Sequence, residues 1–205
     1  MLIRLDGIGK RYNHWIFRNV IYEFAAGSYG ISGSNGSGKS TLLRIISGYL
    51  TPSEGSLAFL NGSRLPIDRD LWAPMVSFCG PDIELIHELT LGEHCSFHFR
   101  FKQMYPGLSL DDFFAITRLE EHRELRVGEL SSGLYQRFEL GLTLLSSSPV
   151  ILLDEPTSYL DRGSRSWFVS VLQQYSDNRI IVIASNDQAD LNLCNIILKI
   201  EDYQS

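Results

Sequence analysis

The chain has 205 residues, 44% of them hydrophobic and 20% charged, and a formal net charge of −6. This composition excludes an intrinsically disordered chain, and the acidic balance gives no support for a nucleic-acid partner. No apolar run approaches the roughly 20 residues of a membrane-spanning helix. Three widely spaced cysteines without a C-x-x-C pair argue against a disulfide scaffold or a zinc knuckle. We therefore predict a single folded domain over residues 1–205.

Two strands are predicted at the start of the chain, at residues 2–5 and 15–24, because both stretches are rich in apolar, aromatic and β-branched residues. The turn between them carries Tyr12, an aromatic side chain able to stack on an adenine ring. On the local sequence alone, an ordinary turn tyrosine is the better interpretation.

The segment 33–40, Gly-Ser-Asn-Gly-Ser-Gly-Lys-Ser, fits the pattern G-x-x-x-x-G-K-[ST] of a loop that holds nucleotide phosphates. Its glycines let backbone N–H groups turn inward around an anion, and the helix that follows adds its positive dipole end. A strand predicted at 29–32 and a helix at 41–46 supply the setting that the motif requires. We expect Lys39 to reach the β- and γ-phosphates and the Ser40 hydroxyl to bind Mg²⁺. The predicted nucleotide contacts of this segment are Ser34, Asn35, Gly36, Ser37, Gly38, Lys39, Ser40 and Thr41.

After a strand predicted at 75–79, residues 90–126 have a helical pattern that begins with the capping-box spacing of Thr90 and Glu93. Phe97, Phe101 and Tyr105 follow at intervals of four, and such a stripe favours core packing over a binding surface. His94 and His98 have a spacing that two metal ligands can use, but no acidic partner completes a metal-binding pattern.

The apolar run 150–153 ends in Asp154 and Glu155, which is typical of a central strand in a parallel sheet. Ligands of such sheets bind at the carboxyl edge of the strands. The run alone is a weak signal, but together with the phosphate loop it predicts that Asp154 holds Mg²⁺ through water. Glu155 is then predicted to polarise an attacking water molecule.

The phosphate loop, the segment 130–133 (Leu-Ser-Ser-Gly) and the segment 151–156 together resemble the ATP-binding-cassette (ABC) ATPases, in order and spacing along nearly the whole chain. Taken alone, the serines and glycine of 130–133 would be helix caps. The resemblance implies an α/β fold: a P-loop NTPase core with a mainly parallel sheet, an N-terminal antiparallel β subdomain, and a helical signature subdomain at about 88–135.

The same resemblance implies that Tyr12 does stack on the adenine of ATP, against the local interpretation. It implies that Ser131, Ser132 and Gly133 contact the γ-phosphate of ATP held by a second copy of the cassette, in a head-to-tail dimer. It further implies an integral-membrane permease as partner and a cytoplasmic location on the inner face of the cell membrane. The short length is similar to that of the haem-exporter ATP-binding subunits of cytochrome c maturation, although no haem motif is present.

Two positions depart from the pattern of this family. The glutamine expected after the strand at 75–79 is missing, and Asp82 stands nearby as a substitute Mg²⁺ ligand. The switch histidine expected after the strand at 179–184 is replaced by Asn186, which donates a neutral rather than a charged hydrogen bond. That exchange predicts a step about fivefold to tenfold slower.

The prediction is a Mg²⁺-dependent ATPase, slow in isolation, that drives a separate permease, with Glu155, Lys39 and Asn186 as its catalytic residues. The alternative is a degenerate cassette that binds ATP and dimerises with little hydrolysis. The missing glutamine and histidine favour this alternative, whereas the intact signature and Glu155 favour the enzyme.

Overall fold

The computed structural model describes residues 1–204. Its strands are β1 (Leu2–Arg11), β2 (Trp15–Phe24), β3 (Gly27–Ser32), β4 (Glu54–Leu60), β5 (Val76–Cys79), β6 (Val150–Asp154), β7 (Ile180–Ala184) and β8 (Ile196–Lys199). Its helices are α1 (Lys39–Ile46), α2 (Trp72–Met75), α3 (Leu91–Phe101), α4 (Leu110–Thr117), α5 (Ser132–Leu144), α6 (Arg162–Gln174) and α7 (Gln188–Leu191).

A five-stranded parallel sheet of order β5-β6-β7-β3-β8 forms the centre of the chain. Strands β6 and β7 are buried along their whole length because their side chains are apolar on both faces. Val150 and Leu152 pack into one hydrophobic core, and Ile151 and Leu153 pack into the other. The sheet therefore separates two cores and brings the carboxyl ends of its strands to a common edge.

A second sheet of order β2-β1-β4 is antiparallel and lies over the core that also holds α1. Phe17, Phe24 and Phe59 are its fully buried aromatic side chains. Helices α3, α5 and α6 pack into the opposite core. The predicted fold class, a parallel core sheet with an N-terminal antiparallel sheet and a helical part, is confirmed.

The helix predicted to begin at Thr90 is confirmed: the Thr90 hydroxyl accepts from the Glu93 N–H at 3.2 Å, and the Glu93 carboxylate accepts from the Thr90 N–H at 2.9 Å. The predicted core role of the aromatic stripe is wrong for Phe97 and Phe101, whereas Tyr105 packs against the core that holds α3. Phe97 is 44% and Phe101 69% exposed, and α3 ends before Tyr105, which packs against Tyr175 instead. Periodicity shows that residues share a face but not what covers that face.

None of the helices within residues 1–204 is long and apolar enough to cross a membrane.

Candidate functional site

The phosphate loop connects β3 to α1 at the carboxyl edge of the parallel sheet. Gly38 precedes the helix with φ 105°, and a Cβ there would lie 2.5 Å from Ile16 Cγ2, so this position requires glycine. Gly36 also has a positive φ of 80°, yet a Cβ there would meet no atom of residues 1–204 within 4 Å. One side of the loop thus packs closely against β2, and the other side is open, as phosphate binding requires.

Lys39 is the first residue of α1 and is only 5% exposed. Its ammonium group donates to the carbonyl oxygens of Gly33 at 2.9 Å and Ser34 at 3.2 Å. The same nitrogen lies 3.7 Å from Glu155 Oε1. The loop therefore holds its lysine folded back over its own carbonyls and beside the predicted catalytic carboxylate.

Glu155 follows the last residue of β6 and has φ 48°, a left-handed conformation that is strained for a glutamate. Its Oε1 accepts from the backbone N–H of Asn186 at 3.2 Å, and its Oε2 accepts from the Ser185 hydroxyl at 3.0 Å. The Asn186 side-chain amide in turn donates to Asn35 Oδ1 at 2.9 Å. All three predicted catalytic residues, Glu155, Lys39 and Asn186, therefore meet at one place on the sheet edge.

Asp154 ends β6 and is 2% exposed. Burial raises the pKa of its carboxyl group, and a hydrogen bond with the Ser40 hydroxyl opposes that shift. Its Oδ1 has no hydrogen-bond partner among residues 1–204. An unpartnered carboxylate oxygen beside a hydroxyl is an oxygen donor set that suits Mg²⁺, so these two residues fit the predicted metal.

Asp82 does not lie free beside this donor set. Its exposed carboxylate forms an ion pair with the guanidinium of Arg44, a residue in the last turn of α1. The charge of Arg44 also acts on the Asp154 carboxyl and lowers its pKa. A role for Asp82 as a Mg²⁺ ligand requires its carboxylate to exchange Arg44 for the metal.

The signature residues occupy the start of α5. Ser131 is the N-cap, and its hydroxyl accepts from the Leu134 N–H at 3.4 Å, while Ser131 and Ser132 are both exposed. Further along, α5 packs into the core opposite the one that holds α1. The capping interpretation is thus confirmed for Ser131, and both serines are open to solvent.

Tyr12 lies in the turn after β1 with 60% of its surface exposed, and the ammonium of Lys10 is 5.2 Å from the centre of its ring. The ring is therefore open to stacking. Thr41 follows in α1, and Ser37 is buried with a hydroxyl that has no partner among residues 1–204.

Sequence reasoning missed two sets of residues around this site. Glu201 accepts from the Ser34 N–H at 2.7 Å, and Gln204 donates to the Ser37 carbonyl at 3.0 Å. The segment after β8 therefore holds the phosphate loop by two hydrogen bonds. Behind Glu155, Ser185, Thr157 and Asp190 form a buried polar chain. Neither set belongs to a local motif, although Ser185 directly precedes the predicted switch position.

The sequence profile of the ABC transporter family matches residues 18–158. The chain is 32% identical to the cytochrome c biogenesis ATP-binding export protein CcmA of Agrobacterium fabrum over 185 residues, which are 87% of this chain and 85% of that protein. It is also 32% identical to the mouse phospholipid-transporting ATPase ABCA3 over 78% of this chain, but spans only 10% of that longer protein.

Among solved structures, the fold is similar to that of the dimeric bacterial ABC transporter cassette MJ0796, with a TM-score of 0.81 and 24% identity. The match covers 97% of this chain and 94% of that one. The similarity to haem-exporter subunits that the sequence suggested is confirmed by the CcmA relatives.

Proposed function

The chain belongs to the ABC transporter family of ATP-binding cassettes, and from that membership we propose that it binds and hydrolyses Mg²⁺–ATP at the interface of a head-to-tail dimer. In this proposal ATP closes the dimer and hydrolysis opens it, and the motion drives a separate membrane permease. The chain acts as one cassette, in which the helical part at about residues 88–135 passes the motion to the permease.

The observation that carries this proposal is the meeting of Lys39, Glu155 and Asn186 at the carboxyl edge of the parallel sheet, directly above an open phosphate cradle. An ammonium group 3.7 Å from a carboxylate gives the site one group for phosphate charge and one for the proton of water. A binding module without hydrolysis has no need of the second group.

Each side chain has a defined task in this proposal. Lys39 leaves its loop carbonyls for the β- and γ-phosphate oxygens, whose charge it neutralises. Glu155 accepts the proton of the attacking water, and Asn186 donates a neutral hydrogen bond to the γ-phosphate. Asp154 and Ser40 would hold Mg²⁺, which would supply further neutralisation of phosphate charge.

The dimer is proposed because the two halves of a complete site do not face each other within one chain. The phosphate loop begins α1 and the signature begins α5, and these helices pack into cores on opposite sides of the central sheet. The exposed Ser131 and Ser132 therefore suit the γ-phosphate bound by another copy. The similar cassette MJ0796 was itself solved as a dimer.

A permease partner is proposed because the CcmA relatives, which match this chain over most of their length, are named export proteins. The exposed Phe97 and Phe101 lie next to each other on α3, with ring centroids 5.1 Å apart, and form an apolar surface in the helical part. The chain would then lie on the cytoplasmic face of the cell membrane, held there through the permease.

The test is steady-state Mg²⁺–ATP hydrolysis by the purified chain, with Glu155→Gln as the matched control. Loss of the proton acceptor is expected to lower turnover by about 100-fold or more, while binding of ATP persists because Lys39 and the loop are unchanged. Equal turnover by the two proteins would contradict the proposal.

A further inference from the structure

A buried chain of hydrogen bonds extends behind Glu155, away from the phosphate cradle. Glu155 Oε2 contacts the Ser185 hydroxyl at 3.0 Å, and the same hydroxyl contacts Asp190 Oδ2 at 2.9 Å. The far oxygen of Asp190 accepts from the Thr157 hydroxyl at 2.9 Å. Ser185 is fully buried, and Asp190 and Thr157 are 2% and 4% exposed, so water does not substitute for these bonds.

This chain of hydrogen bonds has too few hydrogens to form all of its contacts if both carboxyl groups are ionised. The Ser185 hydroxyl has one hydrogen, and it already accepts from the Asp187 N–H at 3.0 Å. It contacts two carboxyl oxygens but can donate to only one of them. For both contacts to be hydrogen bonds, one of the two carboxyl groups must carry a proton.

The surroundings assign that proton to Asp190. Asp190 is 2% exposed, whereas Glu155 keeps part of its surface in solvent and lies 3.7 Å from the Lys39 ammonium. Burial raises the pKa of Asp190, as does the charge of Asp187, while Ser185, Thr157 and Arg165 oppose the shift. Arg165 is itself bound to Asp187 at 2.8 Å, and the Cys194 thiol contacts only the backbone of Asp190.

We propose that Asp190 is a positioning residue that acts on the catalytic Glu155 through the hydroxyl of Ser185. The protonated Asp190 donates to Ser185, which leaves the single Ser185 hydrogen for Glu155 Oε2. This bond to Oε2 and the bond from the Asn186 N–H to Oε1 hold both carboxylate oxygens of Glu155 in place. The backbone of Glu155 is itself in a strained, left-handed conformation. The inference rests on the proposed hydrolysis, because it assigns no role to Asp190 in ATP binding.

Three variants test the role of this chain of hydrogen bonds. Ser185→Ala removes the hydrogen bond to Glu155 and is expected to lower kcat by roughly tenfold, with the affinity for ATP unchanged. Asp190→Ala removes the donor to Ser185 and is expected to lower kcat in the same way. Asp190→Asn places an amide N–H where the protonated acid has its O–H, and is expected to keep kcat within about threefold of the wild type.

The measurements are kcat at saturating Mg²⁺–ATP, the dissociation constant of ATP and the thermal midpoint of each variant. Ser77→Ala is the matched control: Ser77 is also a buried, hydrogen-bonded serine at a strand of the same sheet, but its partners are Ser146 and Ser148. Its kcat is expected to equal that of the wild type. If Asp190→Ala does not fold, Ser185→Ala tests the bond to Glu155, and the pH profile of the wild type against Asp190→Asn tests the role of Asp190.

The pH profile adds a readout that a merely structural role does not move. Once Asp190 loses its proton, it competes with Glu155 for the Ser185 hydrogen, so the kcat of the wild type is expected to fall relative to that of Asp190→Asn as pH rises. Unchanged kcat in Ser185→Ala, a parallel loss of ATP affinity, or an Asp190→Asn variant as slow as Asp190→Ala would overturn the inference. Wild-type turnover equal to that of Glu155→Gln would instead overturn the proposed hydrolysis itself.

Discussion

Asn186 connects the phosphate loop to the catalytic carboxylate by two different groups. Its backbone N–H donates to Glu155 Oε1, while its side-chain amide donates to Asn35 Oδ1. The first bond is available to any residue at this position, and only the second depends on asparagine. The side chain is therefore free to exchange Asn35 for a phosphate oxygen without disturbing Glu155.

Removal of the Asn186 side chain eliminates the bond to Asn35 and leaves the backbone bond to Glu155 in place. We expect Asn186→Ala to lower kcat by about fivefold, because a neutral hydrogen bond to the γ-phosphate is worth about 1 kcal/mol. The backbone bond to Glu155 persists in this variant. Steady-state turnover at saturating Mg²⁺–ATP measures the effect, and a kcat equal to that of the wild type would show that the side chain does not act in hydrolysis.

At the level of single residues, sequence patterns predicted the groups that belong to contiguous motifs. Glu155 follows β6 directly and Lys39 directly follows the loop that connects β3 to α1, so their place at the sheet edge is a consequence of local order. Asp190 and Ser185 were not predicted as parts of the site, because the bond of Ser185 to Glu155 depends on the pairing of β7 with β6, and the bond of Asp190 to Ser185 depends on how α7 packs beside β7. The pairing of Asp82 with Arg44 is likewise a product of tertiary packing.

At the level of secondary-structure elements, α5 connects the signature residues at its start to the carboxyl end of β5 in the central sheet. Glu139 on this helix is 4% exposed, and its carboxylate accepts from the Gly80 N–H at 3.0 Å, just after β5. Gly80 is held tightly in turn, since a Cβ there would lie 2.9 Å from that of Asp154. A movement of α5 would therefore be transmitted to the end of β5 and to β6, the strand that ends at Asp154.

Burial raises the pKa of Glu139 from its ordinary value of 4.5 to about 7. Between these values the folded chain holds a proton that the unfolded chain has lost, so stability falls as pH rises through this window. Glu139→Gln removes the titration. We expect the wild type to lose up to about 3 kcal/mol relative to this variant between pH 4.5 and pH 8.

Thermal or denaturant unfolding of both proteins over that pH range measures the difference. The exposed Glu124 supplies the control, because Glu124→Gln removes a carboxylate that is in water in either state. A difference between wild type and Glu139→Gln that is constant with pH would contradict the assigned titration.

Element boundaries followed the sequence where capping and apolar runs are strong. The capping box predicted at Thr90 is present. The exposure of Phe97 and Phe101 was not predicted, because a stripe of aromatic residues has the same spacing whether a core or a partner covers it.

At the scale of the whole molecule, the central sheet keeps the phosphate loop and the signature apart. Helices α1 and α5 belong to cores on opposite faces, so in the proposed function a complete site takes the loop from one copy and the signature from another. This arrangement makes the two halves of the site separable by mutation.

Two variants each inactivate one half of the shared site. Lys39→Ala removes the phosphate ligand of the loop but leaves the signature intact. Gly133→Asp leaves the loop intact but places a negative charge where the partner's γ-phosphate would bind. A Cβ at this position would be in ordinary van der Waals contact with the Tyr159 carbonyl oxygen at 3.5 Å, so we expect the variant to fold. Each variant alone is expected to be inactive.

The decisive measurement is ATP hydrolysis by an equal mixture of these two variants. Half of the dimers are then mixed, and each has one complete site, so we expect about a quarter of wild-type turnover per chain. Sedimentation of the mixture with ATP verifies that dimers form. Turnover no higher than that of either variant alone, in a mixture that does dimerise, would contradict a site shared between two copies.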